Sequence, residues 1–352
     1  MRTPVSVGVV CGANGAGDTL ARAFDQLSQA TLRWICDDAL RASSIGYGPS
    51  TAWTRDFDEL LQDEDLDAIA FGSAGLAAHG RALAALESGK HVYVDGLLDA
   101  SSADADRLVT AAARGNRRLL TQAPVLLRPE VLRLHRLIDR GVLGEIFYVH
   151  ARRFALRPEL ELDLLRDHGL DLVALTLDLL GDEPVEAEAH GESYLGRQRP
   201  DVIFSKLRFA TGIGAYLHLS CLEGESAERI SVVGSKATAV LDAADPERAL
   251  SVYVNGSTPS MFDELPVEPG DKVAFRQAPD DGLKLGCSRF LTAVRSTGDT
   301  SFGREASATL AVVEALELSC LNRGAAEPVA PRAGTAEQNV IAFPARELGS
   351  PL

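Results

Sequence analysis

The sequence has no apolar run near the roughly 20 residues that a membrane-spanning helix needs, which excludes a span of that kind. Cysteines are few: Cys11, Cys36, Cys221, Cys287 and Cys320 are odd in number and widely spaced, with no CxxC pair. That argues against a disulfide framework or a paired-thiolate zinc site, and leads us to expect a reducing, cytoplasmic setting. No basic cluster exceeds two or three residues, and the net charge is −15. An acidic surface repels phosphate backbones, so nucleic acid is not an expected partner. The first residues, MRTPVSVGVV, enter a strand-like segment with no cleavage site, so no secretory signal is expected. What remains is ordinary globular composition, 46% hydrophobic and 24% charged. A chain of 352 residues exceeds one common core and suits two domains.

The first third alternates short apolar runs with segments of helical period. VSVGVVC (5–11) is continuously apolar, as a strand buried on both faces requires. TLRWICDD (31–38), DAIAFGS (67–73), HVYVDG (91–96) and RLLTQ (118–122) follow, separated by helical patterns. Such alternation specifies a parallel, doubly wound α/β sheet over 1–123. Beyond it the order changes. A helix near 129–140 precedes the long alternating strand 145–154, and a helix over 159–180 is followed by strands in hairpin order. Thr211-Gly212 between two alternating runs marks a hairpin turn. These features predict an α+β domain over 124–330 with an open, mostly antiparallel sheet. A tail over 331–352, rich in Ala, Pro, Gly and Glu, is expected to fray.

Four segments together resemble the Gfo/Idh/MocA oxidoreductases. KHVYVDGLLDASSADADRLVTAA resembles that family's KHVxVEKPLA motif and following helix, and RLHRLIDRGVLGEIFYVHARR its LGEI turn and first strand of the second domain. ERISVVGSKATAVLD resembles its GSxGT strand pair, and VVEALELSCLNRGAAEPV its closing helix. The resemblance runs in family order from residue 5 to about 330. It implies NAD(P) in a Rossmann domain, a small-molecule substrate and a homo-oligomer.

The turn after the first strand reads Cys11-Gly12-Ala13-Asn14-Gly15-Ala16-Gly17. In the family's register the three fingerprint glycines fall at Cys11, Ala13 and Ala16; slipped by one, they fall at Gly12, Asn14 and Gly17. Asn tolerates left-handed backbone, so both registers stay open. Either presents N–H groups at a helix N-terminus, a natural pyrophosphate site formed by Gly12, Ala13, Asn14 and Gly15. Asp37 ends the second strand where the resemblance implies the ribose-binding acid, and Asp38 adds negative charge. Both favour NAD over NADP, although Arg41 lies close by and either acid equally suits a helix N-cap. Ser73, His79 and Asp95 complete the implied cofactor set, while His79 also suits packing and capping.

Three departures from the family affect the chemistry. Asp95, Gly96 and Leu97 replace the Glu, Lys and Pro of its E-K-P motif. Asp171 replaces its catalytic histidine and Ala174 its later acid, while Asp167 and Gly169 match. Leu126 and Leu127 occupy the place of a pocket arginine. Each loss removes a long or charged group, so a larger, more apolar or modified cyclic substrate is expected rather than a bare sugar. The candidate acid–base groups are Asp171, Asp95 and Asp167. Asp167 and Asp171 stand four apart on one helical face, where close carboxylates raise one another's proton affinity; a solvated acidic face is the plainer reading. An NAD(P)-dependent oxidoreductase is the leading function. A lyase, cyclase or dehydratase on the same scaffold, or a binding protein without catalysis, are the alternatives. Apolar and aromatic residues on both sides of strands 145–154 and 202–221 predict sheet-to-sheet packing into a homodimer or homotetramer.

Overall fold

The computed structural model describes residues 3–12, 16–37, 47, 51–72, 76–97, 100–155, 162–254, 272–278, 281–296 and 304–329. Two compact units emerge, Met1–Arg128 with Asp280–Leu310, and Pro129–Pro279 with Ala311–Leu352. The first therefore runs slightly past the expected boundary at 123 and takes back a segment near the C-terminus. The reason is packing: Cys287, Phe290 and Leu291 of the helix Gly282–Arg295 are fully buried in the first unit's core beside Phe24 and Tyr93.

In that unit β1 (Val5–Val10), β2 (Ala30–Cys36), β3 (Ala52–Thr54), β4 (Ala68–Phe71), β5 (His91–Asp95) and β6 (Leu119–Gln122) form a parallel sheet in the order β3-β2-β1-β4-β5-β6. β4 is buried at all four positions, as a strand covered on both faces must be. The Phe24, Tyr93 and Phe290 rings pack edge-on or tilted at 5.6 to 6.4 Å, joining the helix Ala16–Asp25, β5 and the helix Gly282–Arg295. The expected Rossmann sheet is thus present, and its order reverses where β1 separates β2 from β4. Ligands bind at such a switch point, outside the strands' carboxyl ends.

The second unit carries β7 (Ile146–Phe154), β8 (Pro184–Glu192), β9 (Val202–Phe209), β10 (Gly214–Ser220), β11 (Ala227–Gly234), β12 (Ala237–Asp242), β13 (Leu250–Val254), β14 (Lys272–Phe275) and β15 (Glu327–Pro328). They form one sheet, β14-β13-β12-β11-β7-β10-β9-β8-β15, antiparallel except where β7 meets β10. Gly212 makes the β9–β10 turn at φ +87°, a conformation that favours glycine. Val149, Ala151, Leu207, Leu217 and Val232 point to the buried side, beneath the almost wholly buried helix Leu170–Leu180. A π-helical turn, Leu164–Gly169, leads into that helix; widened turns of this kind often accompany functional sites. In the loop between β8 and β9, fully buried Asp201 accepts from Arg197 Nε at 2.7 Å and from the Leu195 amide at 2.6 Å.

Candidate functional site

At the carboxyl end of the parallel sheet the backbone is tied strand to strand. The Cys11 amide donates to the Cys36 carbonyl at 2.8 Å, Gly72 to Val10 at 3.0 Å and Asp37 to Thr54 at 3.1 Å. This holds Cys11 and Asp37 just past the ends of the adjacent strands β1 and β2 at the switch point. Asp37 is 4% exposed. The first helix starts at Ala16, and a Cβ on Gly17 would lie 2.5 Å from the Cys11 Cα and overlap its thiol. Only glycine permits that approach, which is the packing role of a third fingerprint glycine. The close contact thus belongs to the Gly12, Asn14, Gly17 register. Ala13, Asn14, Gly15, Asp38 and Ser73 lie outside the described residues. His79 is tied between helices, its Nε2 donating to the Asp104 carbonyl at 3.1 Å.

Asp95 closes β5 and lines a cavity of about 170 Å³ together with Pro124, Leu127, Gly282 and Leu283. Burial pushes its carboxyl above the ordinary aspartate range, because desolvation disfavours the charged form. Asp95 in turn raises the Cys287 thiol, already pushed up by burial, and that thiol stays protonated at neutral pH. Next in the chain Gly96 adopts φ +115°. A lysine in that conformation would be strained, so the family's cation is replaced by a different backbone and not merely by a smaller side chain. Leu126 and Leu127 are buried in the 3-10 turn Pro124–Leu127. The wall where an arginine was expected is therefore apolar, and no peptide bond among the described residues is cis.

In the second unit Asp171 and Asp167 have different partners. Asp171 accepts from Arg153 at 3.0 Å, and the same guanidinium lies 3.7 Å from Glu228. Asp171 is therefore ion-paired with a cation from a neighbouring strand. Asp167 itself turns back to accept the Asp163 amide at 2.7 Å, while Asp163 caps the turn through the Leu165 and Arg166 amides and pairs with Arg199. Asp167 is therefore a capping residue of the π-helical turn. His168 shares this environment: burial lowers its pKa, Arg153 lowers it further, and Asp167, Asp171 and Glu228 oppose the shift. Arg153, Gly282 and Leu283 escaped the sequence reading because each meets its carboxylate or cavity only through tertiary structure. No group of three or more His, Cys, Asp or Glu suited to a metal occurs among the described residues. No helix among them is long and apolar enough to cross a membrane.

The profile of the oxidoreductase family with an NAD-binding Rossmann fold matches residues 7–122, and that of the GFO/IDH/MocA C-terminal domain matches residues 131–240. Inositol 2-dehydrogenase 2 of Saccharopolyspora erythraea is 29% identical over 214 residues, 58% of this chain and 62% of that protein. The match thus spans less than two thirds of the curated relative's length. The solved UDP-N-acetylglucosamine 3-dehydrogenase GnnA from Acidithiobacillus ferrooxidans has TM-score 0.75 at 22% identity, over 92% of this chain and 99% of that one. GenD2 from gentamicin A biosynthesis, solved with NAD, has TM-score 0.74 at 19% identity, over 94% and 98%. At these identities the structural likeness is one of fold, whereas the two profiles match successive domains in family order. On that evidence the chain belongs to the Gfo/Idh/MocA family of oxidoreductases.

Proposed function

We propose that this protein is an NAD-dependent oxidoreductase acting on a hydroxyl or carbonyl carbon of a relatively apolar or modified cyclic substrate. The observation that carries this reading is the half-buried Asp95 facing a cavity whose other walls are Pro124, Leu127, Gly282 and Leu283. The curated relative's name, an inositol dehydrogenase, supports oxidation of a cyclic alcohol. The residues present fit a dinucleotide. The Gly17 approach would be filled by any Cβ, a helix N-terminus follows β1, and Asp37 directly follows β2. When bound, NAD supplies the hydride acceptor. The chain's own part is to orient the ring, exclude water with its apolar wall and hold the hydroxyl proton on the Asp95 carboxyl.

Asp37 should select NAD, since its carboxylate accepts from a ribose hydroxyl and repels a phosphate there. Asp37→Ala is expected to weaken NADH binding about tenfold and to narrow the preference over NADPH, read by fluorescence titration. Tighter NADPH binding by the wild type would overturn the assignment. Binding of neither dinucleotide would favour a non-redox lyase, cyclase or dehydratase. Gly17→Ala should push the first helix away from β1 and weaken NADH binding at least tenfold; unchanged affinity in the same titration would remove the fingerprint role of Gly17.

We also propose that two copies associate through the outward face of the nine-stranded sheet. Phe204, Tyr216 and Tyr148 are 55%, 44% and 41% exposed on neighbouring strands, a patch large enough to be an association liability. The sheet's ion pairs leave Arg152 on β7 and Glu188 on β8 without one among the described residues. β7 and β8 flank β10 and β9 in the order β7-β10-β9-β8. A two-fold axis along the strands between β10 and β9 therefore lays the acidic strand of each copy over the basic strand of the other. A monomer by light scattering at micromolar concentration would contradict this.

A further inference from the structure

One end of the nine-stranded sheet carries two unlike loops. Residues 193–200, between β8 and β9, read Ser-Tyr-Leu-Gly-Arg-Gln-Arg-Pro, with arginines and no acid. Residues 221–226, between β10 and β11, read Cys-Leu-Glu-Gly-Glu-Ser, with glutamates and no base. Both lie at the same end, because Glu192, Val202, Ser220 and Phe154 form one row across β8, β9, β10 and β7. The first loop is fixed from inside. Buried Asp201 accepts from the Leu195 amide and from Arg197, the Ser193 hydroxyl donates to the Arg197 carbonyl at 2.8 Å, and Arg197 also reaches the Cys221 thiol at 3.6 Å. What this anchoring holds out to water is apolar: Tyr194 and Leu195 are exposed, and so is Leu222 on the second loop. Large side chains held in place before contact make effective interface anchors, since little freedom remains to be lost on binding.

We propose that these loops form a reciprocal clasp between two copies of the chain, Tyr194 and Leu195 of each lying on Leu222 of the other, with Arg199 facing Glu223 and Glu225. The inference rests on the sheet-face assembly above. A two-fold axis along the strands between β10 and β9 carries the β8–β9 loop of one copy over the ends of β10 and β7 in the other, at the same end of the sheet. The arginine-bearing loop therefore meets the glutamate-bearing loop twice, once on each side of the axis. Glu223 and Glu225 have no ion pair among the described residues. Arg199 pairs with Asp163 yet leaves 54% of its side chain exposed, so its guanidinium has donors for a second carboxylate. Mutual cover of the leucines and the tyrosine removes apolar surface from water and supplies the affinity. The charge contrast supplies the register, because each loop repels its own kind and attracts the other.

Sedimentation equilibrium of the full chain and of the variants Leu195→Lys and Leu222→Glu, with far-UV circular dichroism to confirm folding, tests this. Each variant alone should raise the dimer dissociation constant by about tenfold or more, as loss of an interface anchor does. An equimolar mixture of the two should recover the affinity of the wild type. In the mixed dimer one clasp brings the new lysine to the new glutamate, while the other keeps both leucines. A contact within one chain cannot produce that recovery. If a charged variant does not fold, Leu195→Ala and Leu222→Ala should each weaken association in the same measurement. Folded variants that associate like the wild type, or a mixture no tighter than its components, would overturn the clasp alone. A wild type that is monomeric at micromolar concentration would overturn the assembly it rests on.

Discussion

Replacing Asp95 with Asn should lower turnover by about a hundredfold or more, the usual scale of general acid–base help. The substitution keeps the shape of the cavity wall beside Pro124, Leu127, Gly282 and Leu283 and removes the titration. In oxidation of an alcohol the hydroxyl proton must leave as hydride departs, and a carboxylate with raised proton affinity is better matched to that task than a free one. The sign of the pH dependence follows. Since burial raises the Asp95 pKa, its base form appears later on the pH scale than for a free aspartate. Turnover should therefore climb with pH through a limb displaced upward from the ordinary carboxylate range, and Asp95→Asn should abolish that limb. The measurement is NADH formation with the cyclic alcohol that the wild type oxidises, across pH 4 to 9. Asp171→Asn should cost less than tenfold in the same assay, because Asp171 is engaged in an ion pair with Arg153 at 3.0 Å. The reverse ranking would transfer the proton-holding role to Asp171.

Arg197→Met should destabilise the second unit by about 3 kcal/mol, the lower end for stripping the partner from a buried charge. Asp201 has no exposed surface, and Arg197 is its sole ion-pair partner among the described residues. Burial alone would push Asp201 up. The Leu195 amide and the Arg197 guanidinium outweigh it and hold the carboxyl below its ordinary range. Being depressed, this group contributes stability that is complete above the ordinary aspartate range and is lost as pH falls through the folded value. Chemical denaturation at pH 7 and pH 3 would show a wild-type advantage over Arg197→Met at pH 7 that shrinks at pH 3. Equal stabilities at pH 7 would show that water reaches Asp201 when the arginine is removed. The low estimate reflects the neighbouring loop residues Tyr194 and Leu195, which are 71% and 53% exposed.

Period and punctuation made much of the architecture legible in the sequence. Short apolar runs such as Val5–Val10, bounded by small residues, suit strands covered on both faces, and the alternation along Ile146–Phe154 suits a strand with one free side. The Thr211-Gly212 turn followed from glycine's access to positive φ, and Asp37 followed from its place at the end of a strand. These are local properties, written within a few residues of the feature they specify. The helix Gly282–Arg295 looked like part of the second domain because chain order places it there, yet Phe290 buries against Phe24 and Tyr93.

The same limit governs the site. Spacing four apart suggested that Asp167 and Asp171 would raise one another. A carboxylate's proton affinity, however, depends on whatever charge lies within a few ångströms, and sequence spacing along one helix does not reveal a cation from a neighbouring strand. Tertiary structure brought Arg153 of β7 to Asp171 and turned Asp167 onto the Asp163 amide. It also enclosed Asp95 with Gly282 and Leu283, nearly two hundred residues away in the chain. The sequence by itself determined the two sheets, the order of their strands along the chain and the family. Only tertiary structure decided which of its acids is desolvated and which is paired, because burial and proximity are properties of the packed molecule.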